Sequence, residues 1–245
     1  MKKSSLAVLL TALFLSVAVW ASDAEETIRS QLNKADARIP VQSVEPAVLD
    51  GFYEVTLASG EILYAESTGR YLLVGHLYEI DDAKGLVNLT ELAQNRLRLE
   101  ALADVPEADI ITYPAEGDRK AHLWVFTDVD CPYCRRMHEE IPALNKMGVE
   151  VSYLAFPRGG PNTATYNTMV SIWCGKDAQE RNQRMDRVKA GKTIAQENCE
   201  NPVVGQLVMG QKMGVTGTPA LVLEDGTLLP GYLPAERLAP MLGLN

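Results

Sequence analysis

Basic residues are in deficit. Lys and Arg together number 23 against 32 Asp and Glu, a formal net charge of −9, and a general nucleic-acid or anionic-membrane binder needs the basic face this chain does not have. Histidine is scarcer still at 3 residues, and His76 and His122 stand in no metal-ligand spacing, so no metal or other cofactor is expected. Internal repeats and low-complexity stretches are absent, which excludes a repeat array or fibre. Beyond residue 21 no apolar run is long enough to cross a bilayer,. With 47% hydrophobic and 22% charged residues over 245 positions, the chain is too apolar to stay disordered and should form one or two globular domains.

The opening residues read as an address. Lys2 and Lys3 precede an apolar run from Leu6 to Val19, and Val19-Trp20-Ala21 ends in a small residue just before Ser22. That is the anatomy of a secretory signal peptide, and the run is shorter than the roughly 20 residues of a spanning helix. Residues 1–21 are therefore expected to be removed. Export would place the product in an oxidising compartment where disulfides persist, and a bacterial periplasm fits best.

Two regimes follow. Residues 23–34, with Ile28 and Leu32 four apart, predict a short amphipathic helix,. Tyr53, Val55 and Leu57 alternate with polar residues, as do Ile62 and Tyr64, and Ser59-Gly60 and Thr68-Gly69 turn the chain before a strand over Tyr71 to Ile80,. This predicts a small β-rich domain over 22–84 whose strand edges need covering, most cheaply by a second copy of the chain. Over 85–107 the period becomes helical. Asn88 and Glu91 resemble a capping box, Leu89, Leu92, Leu99 and Leu102 form one stripe, and Arg96, Arg98 and Glu100 fall largely away from it,. The segment reads as a linker helix, with the first helix of the next domain as the alternative.

Residues 108–245 alternate strand and helix: strands at Ile110–Tyr113, Leu123–Val129 and Val149–Phe156, a helix from Pro132, a helical insertion over 162–212, a hairpin around Glu224-Asp225-Gly226 and a closing helix from Pro234,. The expected fold is α+β for the whole chain, with an α/β sandwich in this second part.

The chemistry sits at Cys131-Pro132-Tyr133-Cys134. Two cysteines three apart, at the junction of a buried strand and a helix, can close a small ring and reopen it. Orphan N–H groups and the positive end of the helix dipole stabilise a thiolate on Cys131, helped by Arg135 and Arg136, while Asp128 and Asp130 oppose it. A fall in pKa from about 8.5 to about 6 would raise the thiolate fraction at pH 7 from roughly 3% to roughly 90%. Cys131 would then be nucleophile and leaving group, and Cys134, further into the helix and more buried, the resolving thiol. Half a zinc site is the bland alternative, but Cys174 and Cys199 do not form a second close pair,. Four cysteines allow three pairings; Cys131 with Cys134 and Cys174 with Cys199 is the preferred one, the second closing a loop within the helical insertion. His138 lies on the Cys131 face of the helix and is read as a solvent-exposed helical residue, with a lowered Cys131 pKa as its alternative role. Thr218-Pro219 before Ala220 is by itself a weak signal, an ordinary strand opener.

Together, Phe126-Thr127-Asp128 before the cysteine pair, Tyr153-Leu154-Ala155-Phe156-Pro157-Arg158, Trp173-Cys174 and Thr216-Gly217-Thr218-Pro219-Ala220 resemble the DsbC/DsbG family of periplasmic protein disulfide isomerases. The resemblance spans essentially the whole chain after the signal segment and is looser over 22–100. It implies a V-shaped homodimer of thioredoxin-like catalytic domains joined through the β-rich dimerisation domains. It implies a cis Thr218-Pro219 beside Cys131, with Thr218 pairing with substrate backbone, Tyr133 and Pro219 touching substrate, and a non-catalytic Cys174–Cys199 bridge. Its partners would be misfolded disulfide-containing exported proteins and a DsbD-like membrane reductase. The Pro132-Tyr133 dipeptide is nearer to DsbG, and Val125 stands where thioredoxin carries a buried acid. A DsbG-like reductase of oxidised cysteines, a net oxidase, and a holdase chaperone with merely structural cysteines are the competing readings.

Overall fold

The computed structural model describes residues 23–244, so the proposed signal segment lies outside the described residues. The chain divides into two compact units, one ending at Thr90 and one starting at Glu91.

In the first unit, helix α1 (residues 23–35) buries Ile28 and Leu32 against Val44, Val55, Leu63 and Ala65 of a sheet. That sheet has four antiparallel strands in the order β1 (Val41–Pro46), β2 (Phe52–Leu57), β3 (Ile62–Glu66) and β4 (Leu72–Val74). β1 escapes sequence reasoning because a register shift between Val41 and Ser43 breaks its alternation,. The run from Tyr71 to Ile80 is not one strand. Gly75, at φ +136°, bends it into β4 and β5 (Tyr78–Asp81), a conformation open to glycine and costly elsewhere. β5 pairs with β6 (Gly85–Asn88) across a turn in which the Asp81 carboxylate accepts from the Ala83 and Lys84 amides. Residues 85–88 are thus strand, and the helical period begins one residue later.

Helix α2 runs Leu89–Ala103. Its buried face within the second unit carries Ala93, Asn95, Arg98 and Leu102, whereas Leu92 is half exposed at 53%. The apolar stripe expected there is only partly right, because Arg98 is buried, not turned away. Its guanidinium donates to the carbonyls of Met213 and Gly226, to Asn95 Oδ1 and to the Glu91 carboxylate, and a fully bonded guanidinium is tolerated inside where a bare one is not.

The second unit is a five-stranded sheet in the order β11 (Leu228–Pro230), β10 (Ala220–Val222), β8 (Ala121–Thr127), β9 (Val149–Ala155), β7 (Ile111–Tyr113). β8 and β9 are parallel and the other pairs antiparallel. Alternate residues of β8 feed opposite cores. Leu123 and Val125 face α3 (Pro132–Glu139), α4 (Ile141–Lys146), α5 (Ala164–Trp173), α6 (Ala178–Lys189) and α8 (Ala235–Met241), while Phe126 joins Leu102 of α2 and Leu207 of α7 (Val203–Lys212). Helices on both faces explain why the central strands read as near-continuous apolar runs.

Candidate active site

β8 ends at Thr127, and a short turn delivers Cys131 as the N-cap of α3 with Pro132 as its first helical residue. Proline costs nothing there, since the first-turn N–H groups have no intrahelical acceptor. Those orphan donors have a target: the amides of Tyr133 and Cys134 point at the Cys131 sulfur. Cys131 and Cys134 are free thiols, 1% and 0% exposed. The expected difference in burial between them is therefore marginal by exposed area.

Thr218 and Pro219 immediately precede β10, the neighbour of β8, and the register Ala220 opposite Phe126 brings them beside the cysteine pair. The Thr218-Pro219 bond is cis, and Cys131 Sγ donates to the Thr218 carbonyl at 3.2 Å. The Thr218 hydroxyl is buried without an aligned partner, so its proton is available to an ionised sulfur. Tyr133 stands 56% exposed at the tip, its ring under the Arg136 guanidinium.

Burial pushes the Cys131 thiol up, but the Thr218 side chain, the Cys134 amide and thiol and the Tyr133 amide together outweigh it, and its pKa lies below the ordinary value,. Burial also pushes Cys134 up, and there it prevails over Lys189, the Asp128 amide and the Thr218 and Thr127 hydroxyls. The two thiols are split in the sense that thiol exchange needs: one ready to attack, one holding its proton.

The carboxylates feared as opponents are neutralised. Asp128 accepts from the Asp130 amide at 2.7 Å and from the backbone and side chain of Arg158 at 3.0 Å. Asp130 takes the Thr165 hydroxyl, with Arg135 nearby. Arg135 donates to the Val129 carbonyl and Arg136 sits on Tyr133, so the two arginines act through these neighbours and the sulfur is served mainly by amides and hydroxyls. His138 is neither solvent-exposed nor directed at Cys131. It bridges Tyr153 Oη at 3.1 Å and Asp186 at 3.2 Å, and Asp186 also accepts from Tyr113. Cys174, at the end of α5, and Cys199, in the stretch before α7, are joined by a disulfide.

Sequence reasoning missed Lys189. Its α6 segment is rich in charge, and nothing in the spacing distinguishes this lysine from its exposed neighbours. Yet it is 5% exposed, with Nζ donating to Thr127 Oγ1 at 2.6 Å and to the Asp128 carbonyl at 3.2 Å.

Known proteins resemble this chain in sequence. Residues 106–244 match the model of a thioredoxin-like domain, and residues 19–91 that of the disulfide bond isomerase protein N-terminal domain. The thiol:disulfide interchange protein DsbC of Escherichia coli (strain K12) is 35% identical over 212 residues, which cover 86% of this chain and 85% of that protein. Its namesake in Dickeya dadantii is 37% identical over 245 residues, 99% and 95% of the two chains. In Salmonella typhimurium the figures are 37% over 243 residues, 98% and 95%.

Proposed function

The chain belongs to the DsbC family of thiol:disulfide interchange proteins, and from that premise we propose that Cys131 and Cys134 reshuffle wrong disulfides in exported proteins within the periplasm. The observation that carries this reading is the split environment of the two thiols, with Cys131 favoured as thiolate by the Thr218 side chain, Cys134 and the Tyr133 amide, and Cys134 held protonated behind it by burial.

The Cys131 thiolate attacks one sulfur of a substrate disulfide. A new S–S bond forms, the old one breaks with its electron pair on the departing sulfur, and that thiolate takes a proton from solvent. A second substrate thiolate then attacks the substrate sulfur of the mixed disulfide, which forms a new pairing and expels Cys131 as the thiolate, or Cys134 attacks Cys131 and releases the substrate reduced. The second exit leaves the Cys131–Cys134 pair oxidised, so a dithiol donor must restore it, and a DsbD-like membrane reductase suits that need. Tyr133, exposed at the tip, and Thr218 with Pro219 are the groups that meet the substrate. The Cys174–Cys199 bridge stands apart and is structural.

We further infer a homodimer built on the first unit. β4 has one strand neighbour, and Tyr71, Leu72, Leu73 and Val74 along it are exposed, an apolar edge that a second copy would cover. Sedimentation of the full chain should give a dimer at micromolar concentration, and Leu73→Asp with Val74→Asp a monomer; a monomeric wild type overturns the dimer.

With a scrambled disulfide substrate, Cys131→Ala should lose reshuffling and Cys134→Ala should accumulate mixed disulfides. If the wild type reshuffles nothing while both variants still suppress aggregation, the protein is a holdase with structural cysteines.

A further inference from the structure

Lys189 takes no part in the cycle above, yet it lies under the resolving sulfur. The Asp128 amide donates to Cys134 Sγ at 3.5 Å and the Asp128 carbonyl accepts from Lys189. The Thr127 hydroxyl, which accepts from the Lys189 ammonium, faces the same sulfur. A hydroxyl that accepts from an ammonium has its own proton left to donate. Amine, hydroxyl and thiol therefore stand in sequence, a short proton wire ending on Cys134.

A thiol must lose its proton before it becomes a nucleophile, and Cys134, 0% exposed, has no water surface to lose it to. Nor does the strand below supply a carboxylate, since position 125 is a buried valine. Asp128 has committed its carboxylate to Arg158 and the Asp130 amide.

Resting on the exchange chemistry proposed above, we propose that Lys189 receives the Cys134 proton through the Thr127 hydroxyl during the resolving step. Lys189 begins as the neutral amine, accepting from Thr127. As Cys134 attacks Cys131, its proton moves to Thr127 Oγ1 and the Thr127 proton moves to Lys189 Nζ. The sulfur pair of Cys134 forms the Cys131–Cys134 bond, the Cys131–substrate bond breaks with its electrons on the substrate sulfur, and the dithiol is oxidised as the substrate disulfide is reduced. The substrate thiolate takes a proton from solvent, and the ammonium later returns its own to solvent.

The surroundings suit the task. Burial draws Lys189 down to about 8, so about a tenth is free amine at pH 7. Cys134, Asp128 and Cys131 favour the ammonium, Arg135 opposes it, and the Tyr153 ring centre lies 5.5 Å from Nζ. Lys189 is thus a positioning residue that acts on the reacting sulfur through Thr127.

The test is stopped-flow reaction of the reduced full chain with a dithiobis(nitrobenzoate) disulfide. The first burst of nitrothiobenzoate reports Cys131 attack and the second reports resolution by Cys134. In Lys189→Met and in Thr127→Val the second phase should slow about a hundredfold relative to the first at pH 7, at the low end of what a positioned acid or base contributes. Its rise with pH should move to higher pH in Lys189→Met, and Thr127→Ser should restore the wild-type ratio. Unchanged ratios and an unmoved pH profile overturn the relay, as does a Thr127→Ser variant no better than Thr127→Val. Should Lys189→Met lack even the first phase, the Thr127 pair decides alone. Absence of both phases from the wild type refutes the exchange reading itself, a different outcome from loss of the relay.

Discussion

A lysine kept inside a protein weakens the fold at neutral pH, and Lys189 offers a measurable case. Its pKa falls from 10.5 to about 8, chiefly through burial, which corresponds to about 3 kcal/mol of cost in holding the ammonium folded at pH 7. Replacing it by methionine removes that cost. The substitution also strands Thr127 Oγ1 and the Asp128 carbonyl, which accept from Lys189, at about 1 kcal/mol each. Lys189→Met should therefore be more stable than its parent by about 1 kcal/mol at pH 7. Because the folded pKa lies below the unfolded one, the unfolded chain binds more protons between about pH 8 and 10.5, and the stability of the lysine protein rises across that window. The methionine variant gains nothing there, so the difference should swing by about 3 kcal/mol, leaving the variant less stable by about 2 kcal/mol near pH 10.5. Urea unfolding at both pH values, in a Cys131→Ala/Cys134→Ala background, checks this. Cys134 and Cys131 raise the Lys189 pKa, so removing them only widens the window. A difference that stays constant with pH would mean that Lys189 is not desolvated, and the proton relay would lose its base.

Three further outcomes follow from other contacts. Alkylation of Cys131 should reach its plateau at lower pH than in the unfolded chain, and Thr218→Val, which removes a hydroxyl that lowers the Cys131 pKa, should move the midpoint upward; an identical midpoint refutes that role. Gly226→Ala should cost about 3 kcal/mol or more in urea unfolding, because φ is +82° and the new Cβ would lie 2.3 Å from the Asn95 carbonyl oxygen; a loss below about 1 kcal/mol would mean the hairpin turn lifts freely off α2. Removing the Cys174–Cys199 bridge, 25 residues apart in sequence, should destabilise the chain by about 3 kcal/mol. The burst amplitude from Cys131 should survive in folded protein, and its disappearance would assign the bridge a part in the chemistry.

Much of this molecule is decided by local pattern. The apolar run through Leu123, Val125 and Phe126 demands a strand covered on both faces, Pro132 after Cys131 starts a helix, and Glu224-Asp225-Gly226 turns a hairpin. Each depends on near neighbours along the chain. The paired cysteines at a strand-to-helix junction carry their chemistry with them, since the amides that favour the Cys131 thiolate belong to Tyr133 and Cys134, within the same turn. Where local cues are weak the reading slips: a bulge hides β1 and Gly75 divides what looks like one strand. Arg98 passes for a surface residue until its carbonyl partners, contributed by Met213 and Gly226, are in place.

The contents of the pocket around the dithiol are a matter of tertiary structure. Thr218 reaches Cys131 across 87 positions, and Lys189 reaches Thr127 across 62. Spacing and periodicity report which face of a helix or strand a residue occupies, and they pointed to most of the elements and to the sulfur proposed to attack. They carry no record of which distant segment will press against that face. Whether a lysine is hydrated or stripped of water depends on that packing alone, so the lysine buried beneath the resolving cysteine could be found only after the chain had folded.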